Sequence, residues 1–268
     1  GADNLEIAAE LAVHFEAAHE PRRALGQRVG AGDLAVRRHA EREAVEHYRR
    51  ALGLCAQTGA CDPSGELSIL VKLATRLMST AGYAAPELET IFDRAYTLSR
   101  QIASGRDLAP LLRTLVSFHQ VRARLEAARS VGEELLALCA RNDDEVALVQ
   151  ALYGHGVTLY DLGELESSQR HLERALELYR PETHETHAAV YGGYDPGVGS
   201  RCWLSWLLWM RGEGDRALRV AADGLALADE LGHPFSLGFA CMSSAVLHLH
   251  RGDAKAAASP LERARLVA

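Results

Sequence analysis

The stretch Val149–Pro181, VQALYGHGVTLYDLGELESSQRHLERALELYRP, decides the fold. Apolar side chains recur at helical period on both sides of Gly163, which marks two helices joined by a tight turn. Gly156, the eighth residue from Val149, is the small position that lets antiparallel helices approach closely, and Gly163 supplies the turn. Glu164 opens the second helix, with Leu165, His171, Leu172, Ala175, Leu176 and Tyr179 in step. A single hairpin of this kind cannot bury its apolar face alone, so it demands neighbours.

In spacing, Gly156, Gly163, Leu172 and Ala175 resemble a tetratricopeptide (TPR) repeat. The neighbours are present. An amphipathic helix spans 4–18, a second runs from Pro21 to about Arg38, weakened by Gly26, Gly30 and Gly32, and a strong third covers 40–56. Asp62-Pro63-Ser64-Gly65 reads as a break before a helix over 67–81, and Pro86-Glu87 starts one reaching about Ser104. Asp107 caps a hairpin over 108–121 and 125–140, and Asn142-Asp143-Asp144 caps the helix entering the central repeat. Beyond it the turn signature recurs as Gly212…Ala217 and Gly252…Ala257. The step from Gly163 to Gly212 is 49 residues and the next is 40, against about 34 for an ordinary TPR unit. The excess lies in 181–198, PETHETHAAVYGGYDPGV, read as an inserted loop with turn chemistry at both ends.

Composition supports an all-α chain. Hydrophobic residues make up 48% of the 268 positions but aromatics only 6%, and no segment alternates apolar and polar over more than a few residues. The net charge of −7 is interspersed and offers no broad basic surface, so nucleic acid is not an expected partner. The five cysteines, Cys55, Cys61, Cys139, Cys202 and Cys241, are odd in number and scattered; they read as reduced, mostly buried thiols of a cytoplasmic protein. No signal peptide or long apolar run points to a membrane. The chain begins Gly-Ala and ends at Leu266-Val267-Ala268 inside a helical pattern, which reads as a piece of a longer polypeptide.

Three segments make the resemblance more specific: Gly82-Tyr83-Ala84-Ala85-Pro86-Glu87, Tyr191-Gly192-Gly193-Tyr194-Asp195-Pro196-Gly197-Val198 and His233-Pro234-Phe235-Ser236-Leu237. In this order they resemble the C-terminal TPR-like region of large bacterial signalling proteins, over essentially the whole chain. In that family a class III adenylate/guanylate cyclase domain, or a protein kinase, precedes an AAA/STAND-type ATPase and then the solenoid. The resemblance implies a right-handed TPR-like α-solenoid of about six to seven hairpins forming one domain, 1–268. It carries over no catalytic residue, because neither the cyclase's metal-binding aspartates nor the ATPase's phosphate loop has a match here.

Little else suggests chemistry. Gly192-Gly193…Gly197…Gly199 follows no strand and lacks a Gly-Lys-Ser/Thr, so it reads as a loop needing positive φ, not as a phosphate cradle. His184 and His187, with Asp195, His233 and Cys202 in reach, would have to converge to hold zinc, and a solvated pair is the plainer reading. His155 and His171 sit at helix-packing positions. No catalytic residue, metal or cofactor is expected. The one concentration of interest is aromatic. The groove-lining positions of successive first helices would bring Arg113 and Gln120, Tyr153 and Tyr160, and Trp206 and Trp209 to one face, beside Tyr191, Tyr194 and Asp195 of the insert. Such a wall suits a protein or peptide, the parent chain's own N-terminal domains included, or a small apolar ligand; alternatively the insert folds back and fills it as core. The expected function is therefore a non-enzymatic sensor or scaffold module regulating an attached ATPase and cyclase or kinase. A free-standing TPR adaptor that docks a partner's peptide is the alternative.

Overall fold

The computed structural model describes residues 7–267 apart from 60, 84, 100, 103–107 and 192. Among these there are fourteen α-helices and no strand, in keeping with the six to seven hairpins expected. The chain forms two compact units, Gly1–Arg122 and Ala123–Ala268.

The first unit holds α1 (Ala8–Ala17), α2 (Pro21–Arg37), α3 (Glu41–Thr58), α4 (Pro63–Thr80), α5 (Glu87–Ser99) and α6 (Leu108–Val121). Sequential helices pack on one another, and Tyr48 of α3 is held between α2 and α4. Its ring lies where a Cβ on Gly32 would sit, 2.5 Å from Cε1, so that glycine is a packing site and not a weak point in α2. Its hydroxyl donates to Asp33 Oδ1 at 2.7 Å, and Lys72 of α4 reaches the same carboxylate at 2.7 and 2.8 Å. The break at 62–65 is the start of α4, where Asp62 accepts from the Gly65 amide at 2.8 Å as N-cap. Asp107, read as a cap, and the helix end at Ser104 lie outside the described residues.

The cysteine reading needs correction. Cys55 and Cys61, six residues apart, form a disulfide across the α3–α4 turn. They lie on either side of Gly59, whose φ of +60° folds the chain back and brings the two Cα atoms to 5.0 Å, a bridgeable distance. Cys139, Cys202 and Cys241 are free and buried.

The second unit holds α7 (Leu125–Asn142), α8 (Glu145–Asp161), α9 (Leu165–Leu178), a 3-10 turn (Pro181–Thr183), α10 (His184–Val190), α11 (Pro196–Met210), α12 (Gly214–Leu231), α13 (Pro234–His250) and α14 (Ala254–Val267). The hairpin α8–α9 has the geometry its glycines imply. A Cβ on Gly156 would lie 3.0 Å from Leu172 Cδ2, and Gly163 has φ +80°. The turn closes as a Schellman motif, Gly163 N–H to Tyr160 O at 2.9 Å and Glu164 N–H to Leu159 O at 2.9 Å. The same pair of bonds recurs at Gly212 and Gly252, and also in the first unit at His19 and His39. The insert is not the loop that was expected. Most of it is helical, a 3-10 turn followed by the two turns of α10, held by buried contacts described next.

Candidate functional site

The second unit's first helices carry an unbroken aromatic row. Tyr160 at the end of α8 meets Trp203 of α11 edge-on at 5.1 Å, and Trp203 meets Trp206 at 5.0 Å. Trp206 meets Phe239 of α13 at 5.9 Å and donates its indole N–H to Ser243 O at 3.4 Å. Phe239 stacks on Tyr194, the last residue of the insert before the α11 cap, at 4.1 Å, and Tyr194 stacks on Phe235 at 4.4 Å. Beside this row Trp209 stacks on His250 at 6.4 Å, and the Tyr160 hydroxyl donates to Met210 Sδ at 3.2 Å. Most of these rings are half-buried, and the apolar side chains at the edge are open. Met210 is 60% exposed, Leu249 53%, Phe235 53% and Met242 36%. Exposed methionine and leucine beside fixed aromatic rings form an adaptable apolar surface.

Of the nine residues read as groove-lining, Tyr160, Trp206 and Trp209 are half-buried on this face, and Tyr194 packs into it. Tyr191 is half-buried against His187, ring centroids 6.3 Å apart. Tyr153 is core. It is 4% exposed, and its ring lies 2.7 Å from where a Cβ on Gly199 would be, so the glycine admits the tyrosine. Arg113 and Gln120 belong to the first unit, where Arg113 donates to Ser117 Oγ at 2.5 Å. Trp203 and Phe235 were not singled out, because neither falls at a groove position of the repeat. The signal that could have found Phe235 is its spacing of four from Phe239 at the start of a helix.

Asp195 is buried at 3% exposure and serves the fold. Its Oδ1 accepts from the amides of Gly197 and Val198 at 2.9 and 3.0 Å, which caps α11. Its Oδ2 accepts from the Tyr179 hydroxyl at 2.9 Å and meets His184 Nδ1 at 2.9 Å, while its own amide donates to Ser236 Oγ at 2.9 Å. Arg201 donates to the Gly197 carbonyl at 3.0 Å. Burial and the adjacent carboxylate push the Tyr179 phenol well up. Gly197 and Gly199 are helical and not in positive φ; they are small because Tyr179 and Tyr153 rest on them. Of the insert's glycines Gly193 has φ +70°, and Gly192 lies outside the described residues.

His184, Asp195 and His233 do come together, with the two imidazoles 5.3 Å apart. No group of three or more His, Cys, Asp or Glu among the described residues is placed to hold a metal ion. Burial pushes the Cys202 thiol up to about 12 and Cys139 up to about 11, so neither is poised as a thiolate. Among the described residues no helix is long and apolar enough to cross a membrane.

No protein-family model matches the chain. Over 251 residues it is 24% identical to an uncharacterized protein of Rhizobium meliloti (strain 1021), a match covering 91% of this chain. The chain spans 24% of that relative's length. Among solved structures it is similar to NprR in complex with its cognate peptide NprX, at 12% identity and TM-score 0.68 over 97% of this chain and 72% of that one. It is also similar to the Rap conjugation gene regulator of plasmid pLS20 in complex with the Phr* peptide, at 12% identity and TM-score 0.67 over 91% and 65%. A kinesin light chain of Podospora anserina with nearly identical TPR-like repeats aligns at 16% identity and TM-score 0.52 over 77% and 96%. The likeness establishes the fold, an all-α TPR-like assembly of helical hairpins.

Proposed function

We propose that the chain is one non-catalytic interaction module whose aromatic face receives an apolar segment of a protein or peptide. Through that contact it regulates an ATPase joined to a cyclase or kinase domain in the same bacterial, cytoplasmic parent protein. The observation that carries the first half is the row from Tyr160 through Trp203 and Trp206 to Phe239, with Met210 and Leu249 more than half exposed beside it. Rigid rings flanked by open, flexible apolar side chains are what an apolar anchor residue of a partner needs. Two similar structures, NprR and the pLS20 regulator, hold peptides. Tyr160, Trp206 and Trp209 are assigned as partner contacts, and Tyr194 as the part of the insert that shares the face. The cytoplasmic assignment now rests on the three free thiols, with Cys55–Cys61 as an exception to it.

The test is a displayed-peptide selection against the purified chain, with the selected peptides titrated by tryptophan emission. Met210→Asp and Leu249→Asp are expected to weaken binding at least tenfold with the melting temperature unchanged, because both side chains are already largely in water. No enrichment of peptides, or binding indifferent to both substitutions, would sink the assignment. A small apolar ligand competing for the same face would shift the same emission.

The regulatory half rests on the three segments around Gly82, Tyr191 and His233 that resemble the cyclase–ATPase family. It predicts that the parent reading frame encodes a phosphate-loop ATPase ahead of this region. If these repeats stand alone in their reading frame, the chain is instead an adaptor for a peptide of a separate protein.

A further inference from the structure

Two histidines one turn apart hold the insert to the rest of the second unit. His184 Nδ1 meets Asp195 Oδ2 at 2.9 Å. His187 is 2% exposed, its ring stacked 6.1 Å from that of Tyr179, the C-cap of α9. Its Nδ1 lies 3.2 Å from Gln150 Nε2 of α8. A neutral imidazole has one donor and one acceptor. With an amide nitrogen opposite, Nδ1 accepts and the ring proton sits on Nε2. That nitrogen is buried and has no hydrogen-bond partner among the described residues. The seat therefore fits the neutral ring, and fits it only at one of its two nitrogens.

We propose that α10 is a latch released by acid: neutral His187 seats the helix against α8 and α9, and protonation of that ring unseats it.

A second proton would land on Nδ1, facing the Gln150 donor. Turning the amide over would give that proton an oxygen, but would leave a cation in the core with Nε2–H still without a partner. The groups facing His187 are Gln150 and Asp144 from α8 and its cap, Tyr179 from the end of α9, His184 and Tyr191 from the insert, and Asp195 from the cap of α11. Burial, the largest influence, holds the ring's affinity for a proton below the ordinary value, and His184 adds to this; Asp195 and Asp144 oppose it. Asp195 is already engaged by two amides, a phenol and His184. His184 Nδ1–H donates to Asp195, a bond that does not involve the His187 ring. The sign follows. The seated ring binds fewer protons than the released one, so the latch is full above about pH 6.5, the ordinary histidine value. It is lost as the pH falls from there toward the lowered seated value. Release uncovers the Tyr179 ring and frees the chain between His184 and Asp195. The proposal is independent of peptide binding.

Hydrogen exchange of the whole chain tests it, with rates corrected for the intrinsic pH dependence of amide chemistry. Between pH 7.5 and 5.5 the opening constant for the amides of 184–191 is expected to rise up to about tenfold, the limit set by one pH unit below the ordinary pKa. Amides of α12 are expected to keep theirs. His187→Gln should abolish the rise, whereas His184→Gln and His233→Gln should keep it. A rise that persists in His187→Gln, or none in the wild type, overturns the proposal. Should His187→Gln fail to fold, ring titration of the wild type by NMR decides: a His187 value at or above 6.5 overturns it as well.

Discussion

Asp195→Ala is expected to destabilise the second unit by about 3–5 kcal/mol, several times the ~1 kcal/mol of an ordinary lost helix cap. The carboxylate is 3% exposed and makes four bonds, two to α11 amides, one to the Tyr179 hydroxyl and one to His184. Alanine strips the phenol of its acceptor inside the core, and a buried polar group left alone costs about 1–3 kcal/mol. Asp195→Asn separates the contributions. Its carbonyl can still cap α11, but its amide would present N–H groups to two donors, so about half the loss is expected. Urea unfolding followed by tryptophan emission reads this directly, since all three tryptophans lie on α11. A loss no larger than that of an exposed cap would mean that Tyr179 and His184 find other partners.

Gly197→Ala is expected to cost about 2 kcal/mol although alanine is the better helix former by about 1 kcal/mol. An added Cβ would fall within the Tyr179 ring, 2.6 Å from Cδ1 and 2.7 Å from Cζ. The ring cannot swing away easily, because its hydroxyl is fixed on Asp195 and His187 is stacked against it. Gly26→Ala is the control. It sits in α2 with nothing within 4 Å of an added Cβ and should gain up to about 1 kcal/mol. If the two substitutions behave alike in thermal melts, close packing is not why Gly197 is a glycine.

These two positions show where reading the sequence stopped. Gly156 and Gly163 could be read correctly because a repeat supplies their context, one as a close approach and one as a turn. Gly197 and Gly199 could not, because glycine meets either need and only the partners Tyr179 and Tyr153, distant in sequence, decide between them. His19, His39, Ala123 and Asp143 take positive φ of 51° to 58° with no glycine to announce them. The helix α10 was missed because seven residues are too few for a period to emerge. The site divided in the same way. Helical spacing put Tyr160, Trp206 and Trp209 on one side of their helices. Burial of Tyr153 and Asp195 depended on what lay opposite, and Trp203 and Phe235 joined through contacts that no repeat position encodes.

Repeat arrays ordinarily hold together through neighbour-to-neighbour contacts alone, and so come apart one hairpin at a time from their ends. The Asp195 junction breaks that rule locally. Through its carboxylate and its amide it fastens the end of α9, the start of α10, the start of α11 and, at Ser236, the first turn of α13. Four segments that a plain array would release in succession share one knot. The end of α9 and the first turns of α11 and α13 accordingly open together, and fraying that begins in α14 stops where α13 is tied.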